Sequence, residues 1–471
     1  MHFVRSTRCS TAPSTARRSV TAPPRRCRFA TLTRTGRGSS CGSSGRSSKP
    51  ACVATCPRVH RSGTCEVASL RNGTEPRLAG EGLVSAIRPP DRPLVVVHVL
   101  HALRRSGAEQ MLVGASDAFR EAGIEPQVLA LAPAETSERA DEFERAGWRV
   151  THRDERGAVR EAWAVHRYLR VARADVVHVH REANSLLVSL AARRAGAEVV
   201  RTVHAGYPFV GWLTTRKRGE RALARRAGVR FVAVSRSVAD NEMLRFANPT
   251  LVIENWIDGR RFRPPSPTQR SAARRDLGLD VDRQVVAVVG NCDPVKRHAM
   301  LFQALARVPT ASRPLLLHAG SGATTRAEEA LVERLGLVDH VRFLGGIDDV
   351  ETLLHASDHF ALPSEREGSP VSALEALACG VPVLAADVPG CRELVGIGPA
   401  VTLVPDGVDA WAGALGHLAR AAGSGPDERA ADAVAQRFGI GSGVAAYVAV
   451  YRKQDSRSRP RRHRRDRRDR P

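Results

Sequence analysis

Two carboxylates eight positions apart, Glu367 and Glu375, flank the start of a short apolar segment at residues 364–380, SEREGSPVSALEALACG. Ser369 is an N-cap residue type, and Pro370 suits the first helical position, whose N–H would have no partner anyway. Gly380 suits the left-handed position at which helices end. Helical spacing makes Val371, Leu374, Leu377 and Ala378 the buried stripe, with Glu375 at its edge. A carboxylate there is costly unless a donor meets it. The helix start offers free N–H groups and the positive end of the dipole, which is an anion site. An anion at the helix mouth and hydroxyls beside Glu375 together fit the chemistry of a nucleotide-sugar.

Three further loops carry candidate groups. The stretch GNCDPVKRH at 290–298 contains Lys296, one of four lysines against 68 arginines. A lysine in so arginine-rich a chain points to a need for a compact point charge, with a solvated surface residue as the plain alternative. Ser106-Gly107-Ala108-Glu109 follows the first apolar run, and Gly107 would let the backbone approach a phosphate or sugar. Many strand-to-helix turns need a glycine, so this signal alone is weak. His180 and His204 end the runs ADVVHVH and AEVVRTVH; His204, followed by Ala205-Gly206, has room to face a cleft. Asp280-Val281-Asp282 lies before a strand rather than after one and is discounted as a metal motif. Neither a G-x-G-x-x-G fingerprint nor a G-x-x-x-x-G-K-[ST] loop occurs, against a dinucleotide oxidoreductase or a P-loop enzyme. No metal site is expected, since Cys52-x-x-x-Cys56 has no second ligand pair at finger spacing.

These loops must be held by a scaffold, and the apolar runs supply one. PLVVVHVL, PQVLALA, WRVTHR, ADVVHVH, AEVVRTVH, RFVAVS and TLVIEN alternate with helical patterns. After the break RFRPPSPTQR, a second series follows: RQVVAVVG, RPLLLHAG, VRFLGG, DHFALPS, VPVLAAD and AVTLVP. This alternation predicts an α/β protein with two doubly wound, Rossmann-like domains, the first over 93–264 and the second over 265–436. Ligands in such folds sit at the carboxyl ends of strands, where the candidate loops lie. An amphipathic segment at 437–453 closes the folded part.

The formal charge of +23 belongs to the ends. Residues 1–92 carry 17 Lys/Arg against 4 Asp/Glu, and 452–471 carry 11 against 3, leaving +2 for 93–451. A basic groove for specific nucleic-acid binding therefore has no support in the body. Residues 1–92 read as disordered or as the product of a start site placed too far upstream, and 454–471 as a disordered Arg-rich tail. The tail suits peripheral contact with an anionic membrane, with a solvated charge run as the plainer reading. Only Cys292, Cys379 and Cys391 fall in the body, which fits a reducing compartment. With no signal-peptide run and no apolar stretch of spanning length, the expectation is a cytoplasmic protein, peripheral at most at the inner face of the membrane.

Taken together the motifs resemble a family 4 glycosyltransferase of the GT-B fold. The E-x7-E element from Glu367 to Glu375, with Ala378-Cys379-Gly380-Val381-Pro382-Val383 behind it, is the strongest match. Gly107-Ala108-Glu109, Val203-His204, Val234-Ser235, Ile253-Glu254-Asn255-Trp256-Ile257-Asp258, Phe262-Arg263-Pro264 and Gly320-Ser321-Gly322 support it, in order across about 93–453. The resemblance implies retaining transfer from a UDP- or GDP-sugar to a glycan, lipid-linked or small-molecule acceptor, with no cofactor and no required metal. It implies that Glu375 binds ribose hydroxyls, Lys296 the diphosphate, Glu367 with Gly368, Ser369 and Pro370 the donor sugar, and that His204 bonds near the reacting sugar. Gly107 would shape the floor under the phosphates, and 437–453 would cross back onto the first domain. Asn291 replaces a common diphosphate-binding Arg, so either Arg297 compensates or affinity for the diphosphate is lower; Ser369 replaces a Phe and Trp256 a Gly. Aromatics and cations at 204–220 suit an acceptor patch. A GT-B-shaped nucleotide-sugar epimerase, a phosphorylase and a non-enzymatic protein acting through its basic tails are the competing readings.

Overall fold

The computed structural model describes residues 92–418 and 426–453, all within one compact unit, Glu81–Pro471. The expectations for residues 1–91 and for the tail 454–471 concern chain outside the described residues.

Seven strands build the first sheet: β1 (Leu94–Leu100), β2 (Ile124–Ala130), β3 (Arg149–His152), β4 (Val176–Val179), β5 (Glu198–Val203), β6 (Val229–Ala233) and β7 (Leu251–Val252). Six build the second: β8 (Val285–Val289), β9 (Leu315–Ala319), β10 (Val341–Gly345), β11 (His359–Leu362), β12 (Val383–Ala386) and β13 (Val401–Val404). Each apolar run of the sequence contains or overlaps one of these strands. Every paired neighbour is parallel. A parallel sheet must be covered on both faces, which is why inner strands such as β1, β4, β8 and β12 read as runs rich in Val, Leu and Ala. Alternate residues accordingly enter different cores: Val95, Val97 and Val99 one, Val96 and Leu100 another. The second sheet divides likewise, Val285 and Ala287 from Val286 and Val288.

The orders are β3-β2-β1-β4-β5-β6-β7 and β10-β9-β8-β11-β12-β13. Strand order therefore reverses beside β1 in the first sheet and beside β8 in the second. Loops leaving adjacent strands diverge at such a point and open a crevice. The two crevices face each other across one cavity.

The chain crosses between the halves twice, side by side. Ile257 N donates to Phe438 O at 2.9 Å, and Ile257 bridges to Gly439. Before that junction, the helix Glu428–Phe438 places Ala430, Val434 and Phe438 in the core of the second half, with Leu374 and Leu377. After it, the helix Ile440–Arg452 places Val444, Tyr447 and Tyr451 in the core of the first half, with Val96 and Phe119. Trp256 locks this crossing: its Nε1 donates to Met111 O at 3.0 Å and its ring packs on Tyr447. A Cβ at Gly443 would lie 2.2 Å from the Trp256 ring, so only glycine fits there. No helix among the described residues is long and apolar enough to cross a membrane.

Candidate active site

A cavity of about 690 Å³ lies between the halves, lined by Gly107 and His204 from the first and by Asn291, Lys296, Glu367, Ser369, Pro370 and Glu375 from the second. The helix Val371–Ala378 opens onto it. Its N-cap is Pro370 rather than Ser369, because the Pro370 carbonyl accepts the first helical bonds from Ala373 N and Leu374 N, both 3.2 Å. Ser369 instead offers its carbonyl to Asn255 Nδ2 at 2.9 Å, tying the cleft loop to the crossing segment. Burial also exceeds the expected stripe: all residues of this helix except Ser372 are buried, since it lies between the second sheet and the helix Glu428–Phe438. Gly380 takes the left-handed conformation that ends it, with φ +73°.

Two close approaches bring the halves together. A Cβ on Gly107 would sit 3.0 Å from Val371 Cβ, so the helix Gly107–Gly114 starts almost against the helix Val371–Ala378. A Cβ on Gly368 would sit 2.0 Å from the His204 carbonyl oxygen. Gly368 thus packs against the first half and is not part of the cavity wall.

The carboxylates that line the cavity each meet a donor, with one exception. Lys296 Nζ donates to Glu367 Oε1 at 2.8 Å. The Lys296 turn is fixed by Asp293, whose carboxylate accepts from Val295 N at 2.9 Å. Glu375 is the exception: it is 6 % exposed, and no donor among the described residues reaches its carboxylate. Burial pushes its pKa up to about 7, against the pull of Arg261 and Arg139. A buried carboxylate left open to the cavity is poised for hydroxyl donors from a ligand.

Arg297 does not take the compensating role open to it. Its backbone is left-handed (φ +56°) and its guanidinium bonds Asp406 Oδ1 at 2.5 Å, outside the cavity wall. The cations at the cavity are instead Arg104, Arg105, Arg139 and Arg261. Arg105 Nε bonds Asp348 Oδ1 at 2.9 Å, and Arg261 bonds the Asp348 carbonyl. These arginines went unread in the sequence because one arginine among 68 carries no mark. The usable signal was position, since Arg104 and Arg105 directly precede the Ser106-Gly107 turn.

A histidine ladder also lay hidden. His98 Nδ1 and His180 Nε2 are 3.0 Å apart, as are His180 Nδ1 and His204 Nε2. Burial holds His98 down to about 3 and His204 to about 4, and pushes His180 well down, so all three rings are neutral near pH 7. Each neutral ring carries one proton, so donation runs one way along the ladder. If it ran toward His98, an N–H would be stranded on buried His98 Nε2, which has no partner. The reverse order leaves that atom as a bare lone pair, so either order buries one unpaired polar atom at a cost of about 1–3 kcal/mol. His204 ends the ladder at the cleft as a neutral imidazole. The signal was the register of β1 and β4, which sets His98 beside His178, on the same strand face as His180.

A model of glycosyl transferases group 1 matches residues 269–421, and one of Glycosyltransferase Family 4 matches 105–261. The chain belongs to glycosyltransferase family 4. Among curated relatives of this family 4 chain, D-inositol 3-phosphate glycosyltransferase of Mycobacterium tuberculosis (strain ATCC 25618 / H37Rv) is 36% identical over 212 residues. That match spans 43% of this chain and 43% of the relative, less than half of its length. Solved structures share the architecture. Anabaena HepE in complex with UDP-glucose aligns with TM-score 0.65 and 22% identity, over 76% of this chain and 100% of that one. WaaG, described as a glycosyltransferase of lipopolysaccharide biosynthesis, aligns with TM-score 0.60 and 18% identity, over 76% and 100%. At these identities the likeness concerns the fold, which is GT-B.

Proposed function

We propose that this family 4 protein moves a hexose from a UDP- or GDP-sugar to a glycan, lipid-linked or small-molecule acceptor, with retention of configuration. The observation that carries the reading is Glu375, a desolvated carboxylate with no donor among the described residues, beside a helix mouth and the Lys296–Glu367 pair. In this scheme Glu375 accepts from the ribose hydroxyls. Lys296 meets the diphosphate, whose growing negative charge in the transition state it stabilises more than the ground-state charge. Glu367 orients Lys296 and, with the backbone at Ser369 and Pro370, holds the sugar. Asn291 and Gly107 border the phosphates. Arg105 and Arg261 replace Arg297 as the additional cations. His204 hydrogen-bonds a hydroxyl near the reacting sugar. Lys296 supplies the charge that a metal would otherwise bring to the leaving group, so transfer requires neither metal nor cofactor. Support for a nucleotide-sugar donor comes also from HepE, whose structure is of a complex with UDP-glucose.

The reaction is tested by following a nucleotide-sugar and a panel of acceptors by proton NMR. Release of nucleoside diphosphate with a product that keeps the donor's anomeric configuration is expected. An inverted product would refute retention, and release of a free epimerised sugar would favour an epimerase.

A further inference from the structure

Behind the loop that carries Asn291 and Lys296, four side chains with metal-ligating atoms converge. They are Cys292 of that loop, His298 at the start of the helix His298–Arg307, His318 on β9, and Glu328 on the helix Thr325–Arg334. One ligand atom from each lies within 4.8 Å of the others, and all four residues are buried. His298 Nδ1 is 3.0 Å from His318 Nε2 and 3.3 Å from Glu328 Oε2, and His318 Nε2 is 3.9 Å from Glu328 Oε2. Zinc bonds of about 2.0–2.1 Å to nitrogen or oxygen give tetrahedral edges of about 3.3 Å, so these separations already match.

Protons alone account poorly for the cluster. His298 Nδ1 faces two acceptor-capable atoms and carries either one proton or one lone pair. With a proton, it must divide one N–H between His318 and Glu328. With a lone pair, it accepts from His318 and turns that lone pair on the Glu328 carboxylate. A cation at the centre engages both ring nitrogens and the carboxylate at once. Charge balances too: a thiolate, a carboxylate and two neutral imidazoles around a divalent ion sum to zero, which suits a buried site. The set S, N, N, O selects the zinc class over magnesium or calcium. A second convergence, His98, His178 and His180 in the first half, does not offer this. Both nitrogens of His178 are taken there, by Tyr451 and Thr202 at 2.7 Å each, and His98 bonds His180.

We propose that Cys292, His298, His318 and Glu328 form a closed structural site for a divalent ion of the zinc class. Binding displaces the Cys292 thiol proton to solvent and forms one sulfur, two nitrogen and one oxygen bond to the ion, with no change in oxidation state. With four protein ligands no position is left for substrate. The ion bolts the 290–297 loop to β9 and to two helices, and so fixes the base from which Lys296 reaches the cleft. The inference uses residues outside the proposed transfer chemistry, so failure of donor binding would leave it standing.

Untagged full-length protein, purified with zinc present and then dialysed, tests it. Residues 1–65 hold six further cysteines, so metal content is read as a difference from the variants. Wild type is expected to retain one equivalent of zinc more than Cys292→Ser or Glu328→Gln. Cobalt exchanged into wild type should give thiolate-to-cobalt absorption that Cys292→Ser loses. Equal zinc in all three proteins, or a cobalt spectrum unchanged by Cys292→Ser, would overturn the proposal. Should the variants not fold, anomalous scattering at the zinc edge from wild-type crystals decides: a peak among the four side chains supports the site, and no peak there refutes it.

Discussion

Replacing Glu375 by Gln should stabilise the fold while removing donor binding, and the stabilisation should depend on pH in a defined way. Burial raises this carboxyl from 4.5 to about 7, with Arg261 and Arg139 offsetting only part of the cost. At about 1.4 kcal/mol per pH unit, that displacement puts the cost of the ionised group at about 3 kcal/mol. The sign follows from which state holds the proton more tightly. The folded protein does, so the favourable contribution is complete below 4.5 and is lost as pH rises to about 7. Gln is neutral throughout. Chemical unfolding of the two proteins should therefore coincide near the lower value, diverge between the two, and stay apart by about 3 kcal/mol above the upper one. A variant less stable than wild type above neutrality, or a gap independent of pH, would refute the view that Glu375 is desolvated and unpartnered. The same variant should lose stabilisation by a nucleotide-sugar, because an amide replaces one acceptor oxygen with a donor.

Three other outcomes follow from particular contacts. Gly443→Ala should cost about 1–3 kcal/mol in unfolding experiments, as overpacking does, because the new methyl meets the Trp256 ring; adding Trp256→Ala should shrink that cost. Glu242→Gln should cost about 3–5 kcal/mol, since Arg221 and Glu242 are both 0 % exposed and bonded at 2.6 Å; an unchanged melting temperature would contradict it. Nitrogen NMR of the His204 ring should show a neutral imidazole at pH 6, and a charged ring there would contradict the burial that holds its pKa down at about 4.

The scaffold was legible because the inner parallel strands must be apolar on both faces, which marks them as runs rich in Val, Leu and Ala. Strand ends then place loops, and so Lys296, Glu367, Glu375, His204 and Gly107 could be expected in one cleft. Less legible was anything decided by direction rather than type. Arg297 is a cation beside Lys296 in sequence, yet its left-handed backbone turns it to Asp406. Ser369 has the chemistry of a cap, but the first helical bond falls on the Pro370 carbonyl. The ladder from His98 to His204 and the cluster around Cys292 join residues far apart in the chain, so no local spacing announces them. Their signal is register, which the sequence carries only once strand order is known.

The central claim is that a nucleotide-sugar binds between the two sheets, with Lys296 on its diphosphate and Glu375 on its ribose. The most direct test is thermal unfolding of wild type and Lys296→Ala against a panel of UDP- and GDP-sugars. A ligand at 100 times its Kd stabilises the folded state by about 2.7 kcal/mol, so at least one donor should raise the wild-type melting temperature. The shift should vanish in a folded Lys296→Ala variant. Folded wild-type protein that no nucleotide-sugar stabilises, or a shift that survives loss of Lys296, would contradict the account.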